Sequence, residues 1–213
     1  MLAGVTTDSD EDPLRRELRV VDETQARVVE RLYGVRGGSW RSTATAAVAA
    51  AVAEETYRVM AAAEQWHNDT SAEWHEHLQH VWQHLARDDN PYELSQHRYL
   101  SEAIGHFLLS PLNHDDGDGG PDDFDRPQTV AAYCAALAVV AWGVDFAATA
   151  VGRLFEAIEL VHEDSGDDER WQQVQEEAAF VERVTDRVVL ALDQSADTRL
   201  GSELVAEIQA RRA

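Results

Sequence analysis

From Val130 to Gly152 the chain carries a single charge, Asp145, over a length that could cross a bilayer. Its composition argues against that role. Ala131, Ala132, Ala135, Ala136, Ala138, Gly143 and Ala147 outweigh the large aliphatic residues, and basic flanks are limited to Arg126 and Arg153. Alanine transfers weakly into lipid, and an aspartate at mid-span costs about 3 kcal/mol. The stretch instead reads as a long central helix of a soluble bundle, buried on most faces, whose small side chains let other helices approach closely. Pro127 suits the first helical position, so one continuous helix over roughly residues 127–162 is expected. Asp145 would then be buried and would need a partner, or it would be driven toward its neutral form. Arg41, Arg58 or a histidine could supply that partner.

The rest of the chain carries helix punctuation and almost no alternating β-branched pattern. Asp12-Pro13 reads as an N-cap and first position, opening a helix to about Leu32 that Gly34, Gly37 and Gly38 stop. Ser39 or Ser42 caps an Ala-rich helix ending near His67. Thr70-Ser71-Ala72-Glu73 has capping-box spacing and opens a third helix to Ala86. Asn90-Pro91-Tyr92-Glu93 opens a fourth, to about Leu109. After the long helix, further helices are expected over about 169–193 and 202–211. The fold expectation is all-α: a single-domain bundle of six to seven helices over residues 12–213. A flexible acidic N-terminus (1–11) precedes it, and an acidic Gly/Asp loop interrupts it at 110–126. At 213 residues such a chain buries roughly 70 % of its unfolded surface, so it needs no disulfide or structural metal. Its one cysteine, Cys134, cannot form an internal bridge. The N-terminus lacks a basic and an apolar segment, so no signal peptide is expected and a cytoplasmic location follows as the simplest reading.

Charge narrows the partners. Forty acidic residues face eighteen basic ones, every one of them Arg, for a formal net charge of -22. Such a surface repels phosphate backbones and anionic lipid, which disfavours direct nucleic-acid or membrane binding. It suits a basic protein partner. A salt-adapted or GC-rich source accounts for it more simply, since whole-surface acidity serves solubility before partners. The densest run lies in the loop, where Asp115, Asp116, Asp118, Asp122, Asp123 and Asp125 form the expected partner-binding segment. That loop also offers oxygen ligands to Ca²⁺, but its spacing does not follow the EF-hand pattern and no Glu closes it.

Two further patterns bear on metals. His77, His80 and His84 share a face of the third helix beside the apolar stripe of Trp74, Leu78, Val81, Trp82 and Leu85. The spacing of His80 and His84 lets two imidazoles reach one ion, although two or three ligands leave a site incomplete. Glu-x-x-His occurs as Glu64…His67 and Glu159…His162, the i, i+3 arrangement found in carboxylate-bridged di-metal bundles. With nine histidines in the chain, about one such pair arises by chance, so the pattern is unspecific. Iron, manganese or zinc is the cofactor on this alternative; none is expected otherwise. Nucleophile machinery is missing, for Cys134 sits within the apolar helix, where a thiol is an inert small hydrophobe. No phosphate loop or nucleophile elbow occurs.

Val81-Trp82-Gln83-His84-Leu85 on a helix, then Ser101-Glu102-Ala103-Ile104, then Pro121-Asp122-Asp123-Phe124-Asp125 lead into Val130-Ala131-Ala132-Tyr133-Cys134-Ala135-Ala136-Leu137. That order resembles the all-helical bacterial family of unknown function typified by the YjaG protein, over about residues 28–192. The Gly-Asp insertion at 115–120 departs from the pattern. The resemblance implies an all-α fold and carries no catalytic residues with it.

The leading expectation is a non-enzymatic interaction protein, an immunity-type or regulatory inhibitor of a basic protein partner. The alternative is a metal-binding bundle, such as a di-metal carboxylate oxidoreductase. Trp40 and Trp171, near helix starts, are candidates for a homodimer interface, where Trp is enriched.

Overall fold

The computed structural model describes residues 12–62, 71–86, 127–141, 143–163 and 166–210. Among these residues all regular structure is helical: α1 (Pro13–Gly34), α2 (Ser39–Ala62), α3 (Ser71–Ala86), α4 (Pro127–Ala141), α5 (Asp145–Val161), α6 (Asp167–Gln194) and α7 (Ser202–Ala210). The helix expected over 91–109 and the loop at 110–126 lie outside the described residues.

Local chemistry accounts for the helix ends. The Asp12 carboxylate accepts the Leu14 N–H at 3.1 Å, and Pro13 occupies the first position, where no N–H is needed. Val35 then turns extended while its N–H returns to the Leu32 carbonyl at 3.2 Å. Gly38 takes φ +70, a left-handed conformation that favours glycine, and its carbonyl receives the Ser42 N–H of the next helix.

The centre of the bundle is α2. Ala44, Ala46, Ala47, Ala49, Ala50, Ala51 and Ala53 are all buried, on every side of the helix. Its main neighbours are α4 and α5. Alanine permits this because a helix without long side chains can be surrounded closely by others. The buried hydroxyls stay satisfied locally: Thr45 and Thr56 donate to the carbonyls four residues back, each at 2.8 Å. Ser42, expected as a possible cap, lies inside the helix and donates across to the Ala138 carbonyl at 2.7 Å. Burial of Val130 to Ala138 on α4 follows the sequence expectation.

The single long helix does not. The chain leaves helical geometry between Ala141 and Asp145, at Gly143, and resumes as α5. Asp145 is therefore the first residue of a helix and is exposed, not buried in mid-helix. A carboxylate there faces the positive end of the helix dipole, so it needs no buried cation. The proposed partners are engaged elsewhere. Arg41 donates to the Tyr33 and Val35 carbonyls at 3.1 and 3.3 Å, and Arg58 binds Glu55 and Glu177.

α1 lies against α6 in parallel. Glu17 meets Arg170, Arg27 meets Glu182, Arg31 meets Asp186, and Arg36 reaches the Asp193 carbonyl, so both partners advance in the same direction. Beneath these pairs Val28 and Leu32 of α1 and Val181, Val188 and Leu192 of α6 are buried. α1 also touches α5, where Gln25 donates to the Ala148 carbonyl at 2.9 Å. Gly152 makes room for that contact, since a Cβ there would fall 2.8 Å from Gln25 Nε2. On α3, Leu78, Val81, Trp82 and Leu85 of the expected stripe are buried, and the Trp74 side chain lies outside the described residues. The Leu200 N–H, just before α7, donates to the Leu85 carbonyl at 3.1 Å.

Candidate functional site

Two groups of carboxylates differ in kind, one inside the bundle and one on its surface. The inner group is Glu54 and Glu55 on α2 and Glu177 on α6, exposed by only 8 %, 5 % and 1 %. Charged side chains are rarely buried this far unless paired. Arg58, one turn beyond Glu55, bridges the two helices: its Nε donates to Glu55 at 2.8 Å and its Nη2 to Glu177 at 3.0 Å. The hydrogen bond to Glu55 is the foremost cause holding the Arg58 pKa above its ordinary value, against the opposing effect of partial burial. Glu54 accepts the indole N–H of Trp82 at 3.0 Å and so ties α3 to α2. The group clamps three helices together.

This clamp is nearly silent in the sequence. Its one legible sign was the i, i+3 spacing of Glu55 and Arg58, which places both on one helix face.

Metal candidates fall as follows. Glu159 is exposed on α5, while His162, at the C-cap of that helix, pairs through Nε2 with the Gln173 side chain and is half-buried. His80 and His84 are half-buried on α3. His77 belongs to α3, but its side chain is outside the described set, as are Glu64 and His67. Among the described residues no group of three or more His, Cys, Asp or Glu is placed to hold a metal ion. Cys134 is buried, and burial pushes its thiol up to about 12, with Arg153 pulling weakly the other way. It stays protonated at neutral pH and is no nucleophile.

The outer group lies where α5 turns into α6. Glu159, Glu163, Asp167, Asp168 and Glu169 are all exposed there. The nearest cation on α6 is Arg170, whose guanidinium is 3.1 Å from Glu17 and 3.8 Å from Asp167. Asp167, Asp168 and Glu169 form the first turn of α6, where the helix dipole favours negative charge, so their concentration costs less than it would elsewhere. Asp115, Asp116, Asp118, Asp122, Asp123 and Asp125 lie outside the described residues.

The two tryptophans proposed for an interface have partners within the chain. Trp171 lies under the Arg16 guanidinium at 3.8 Å and Trp40 under that of Arg36 at 4.9 Å. Both are half-buried against the core. No helix among the described residues is long and apolar enough to cross a membrane.

No family model, curated protein or solved structure matches the chain, so the likeness to the YjaG family rests on the sequence motifs alone.

Proposed function

We propose that this protein is a non-enzymatic, acidic helical interaction module that engages a basic protein partner, in the manner of an immunity-type or regulatory inhibitor. The observation that supports it is how the cations are used. Arg27, Arg31, Arg58, Arg153, Arg170, Arg187 and Arg199 all pair with carboxylates of their own chain. Arg36 and Arg41 bind backbone carbonyls. The surplus of acid is thereby left facing solvent, and the α5–α6 corner concentrates it.

An unneutralised negative surface raises the encounter rate with a basic protein, and the gain shrinks as salt screens it. Asp115 to Asp125 would add to the same field. The test is a pull-down with the purified protein as bait at low and at high salt. Basic proteins should be retained at low salt and released at high salt. Retention of none at low salt would count decisively against the reading.

A further inference from the structure

A groove of about 420 Å³ opens between α6 and α7, away from the acidic corner. Its apolar walls are Phe180 and Val184 on one helix and Leu204 and Ile208 on the other. Arg187 and Glu207 form an ion pair from helix to helix at its edge. Asp186, also at the rim, faces Arg31 at 3.5 Å. That leaves Arg183. It is exposed at the groove and makes no ion pair or hydrogen bond among the described residues. In a chain of net charge -22, the one unmatched charge among the described residues lining this apolar opening is positive.

We propose that the groove binds a small apolar carboxylate, an acyl chain of medium length, with its carboxylate on Arg183. Volume, lining and charge each support that class. Small-molecule sites span roughly 300–1,000 Å³ and pair apolar walls with a few oriented polar groups. A guanidinium fork matches a carboxylate bidentately, which an alcohol or an amine cannot reproduce. The repulsion from the rest of the surface weakens with distance and with salt, whereas the local pair is made in contact.

The experiment is calorimetric titration of the full chain with decanoate, kept below its micelle concentration, beside decanol and decyltrimethylammonium. Saturable one-to-one binding of decanoate, tighter than either comparator, is expected. Arg183→Gln should weaken decanoate by about twofold to fivefold, as befits a partly exposed ion pair, and leave decanol unchanged. Arg183 is exposed, so the variant should fold; its far-UV circular dichroism and melting curve verify this. No saturable binding, a preference for the cationic comparator, or equal decanoate affinity in Arg183→Gln would each overturn the proposal. None of these outcomes depends on a basic protein partner.

Discussion

The helix pair α2/α4 and the helix pair α1/α6 solve one problem in opposite ways. α2 and α4 meet through alanine, with Ala49, Ala50, Ala135 and Ala136 at 0 % exposure and the Ser42 hydroxyl directed at the Ala138 and Val139 carbonyls across the contact. α1 and α6 meet through a valine and leucine strip edged by ion pairs between half-exposed side chains. The first contact depends on the absence of side chains and tolerates no addition. The second sets its ion pairs at the edge in water, where substitutions cost little, above a buried apolar strip. Close backbone approach is therefore concentrated in the alanine pair, and charge in the pair that buries valine and leucine beneath its ion pairs.

The largest expected effect comes from adding volume at the alanine contact. Ala49→Leu or Ala135→Leu should destabilise by up to about 3 kcal/mol, read from urea unfolding, because the helices cannot separate without opening the core. A loss below about 0.5 kcal/mol would mean that the contact is looser than described. Next is the clamp. Arg58→Met keeps the apolar stem but leaves Glu55 and Glu177 without that guanidinium. The loss should be about 2 kcal/mol, less than for a fully buried pair because Arg58 is partly exposed. An unchanged midpoint would show the clamp to be incidental.

A pH experiment sharpens the comparison on the α4 side. The Cys134 thiol has a folded value of about 12 against 9.0 when unperturbed. The protonated thiol's contribution is thus complete below about pH 9 and is lost as pH rises toward 12. Cys134→Ala should make the alkaline decline of stability shallower across that window, while the native thiol resists alkylation at about pH 8. Rapid labelling of native protein would contradict the burial of α4. The smallest effect belongs to the seam. Arg27→Ala removes contacts to Glu23 and Glu182 that are half exposed, so the loss should be below about 1 kcal/mol and should shrink further in high salt.

Much of this fold was legible in the sequence, for reasons visible at particular residues. Asp12-Pro13 and Gly34 to Gly38 bound α1 because capping and glycine geometry act locally. The uncharged run marked α4 as buried because no solvated helix lacks charge for so long. The central position of α2 was less legible, since alanine is at home on either face of a helix and leaves no periodic stripe to read. Asp145 misled for a related reason: its sequence neighbours are apolar, but a break at Gly143 turns an interior position into a helix start. Glu54, Glu55 and Glu177 escaped notice because adjacent glutamates ordinarily mean a solvated face, and only the packing of α2 against α6 and α3 puts them inside. The acidic corner was legible as a count of carboxylates but not as a place. The intrachain pairs of Arg27, Arg31, Arg58, Arg153, Arg170, Arg187 and Arg199 decide where negative charge remains among the described residues.

The claim that place matters more than net charge can be tested directly with two double variants of identical charge. Asp168→Arg/Glu169→Arg reverses the α5–α6 corner, whereas Asp22→Arg/Glu30→Arg reverses exposed carboxylates on α1. Each is immobilised, and the retention at low salt of extract proteins with isoelectric points above about 9 is compared with that of the unaltered chain. The corner variant should lose most of the retained protein and the α1 variant little. Equal loss in both would reduce the acidic surface to a solubility feature, and no loss in either would remove the corner as the working surface.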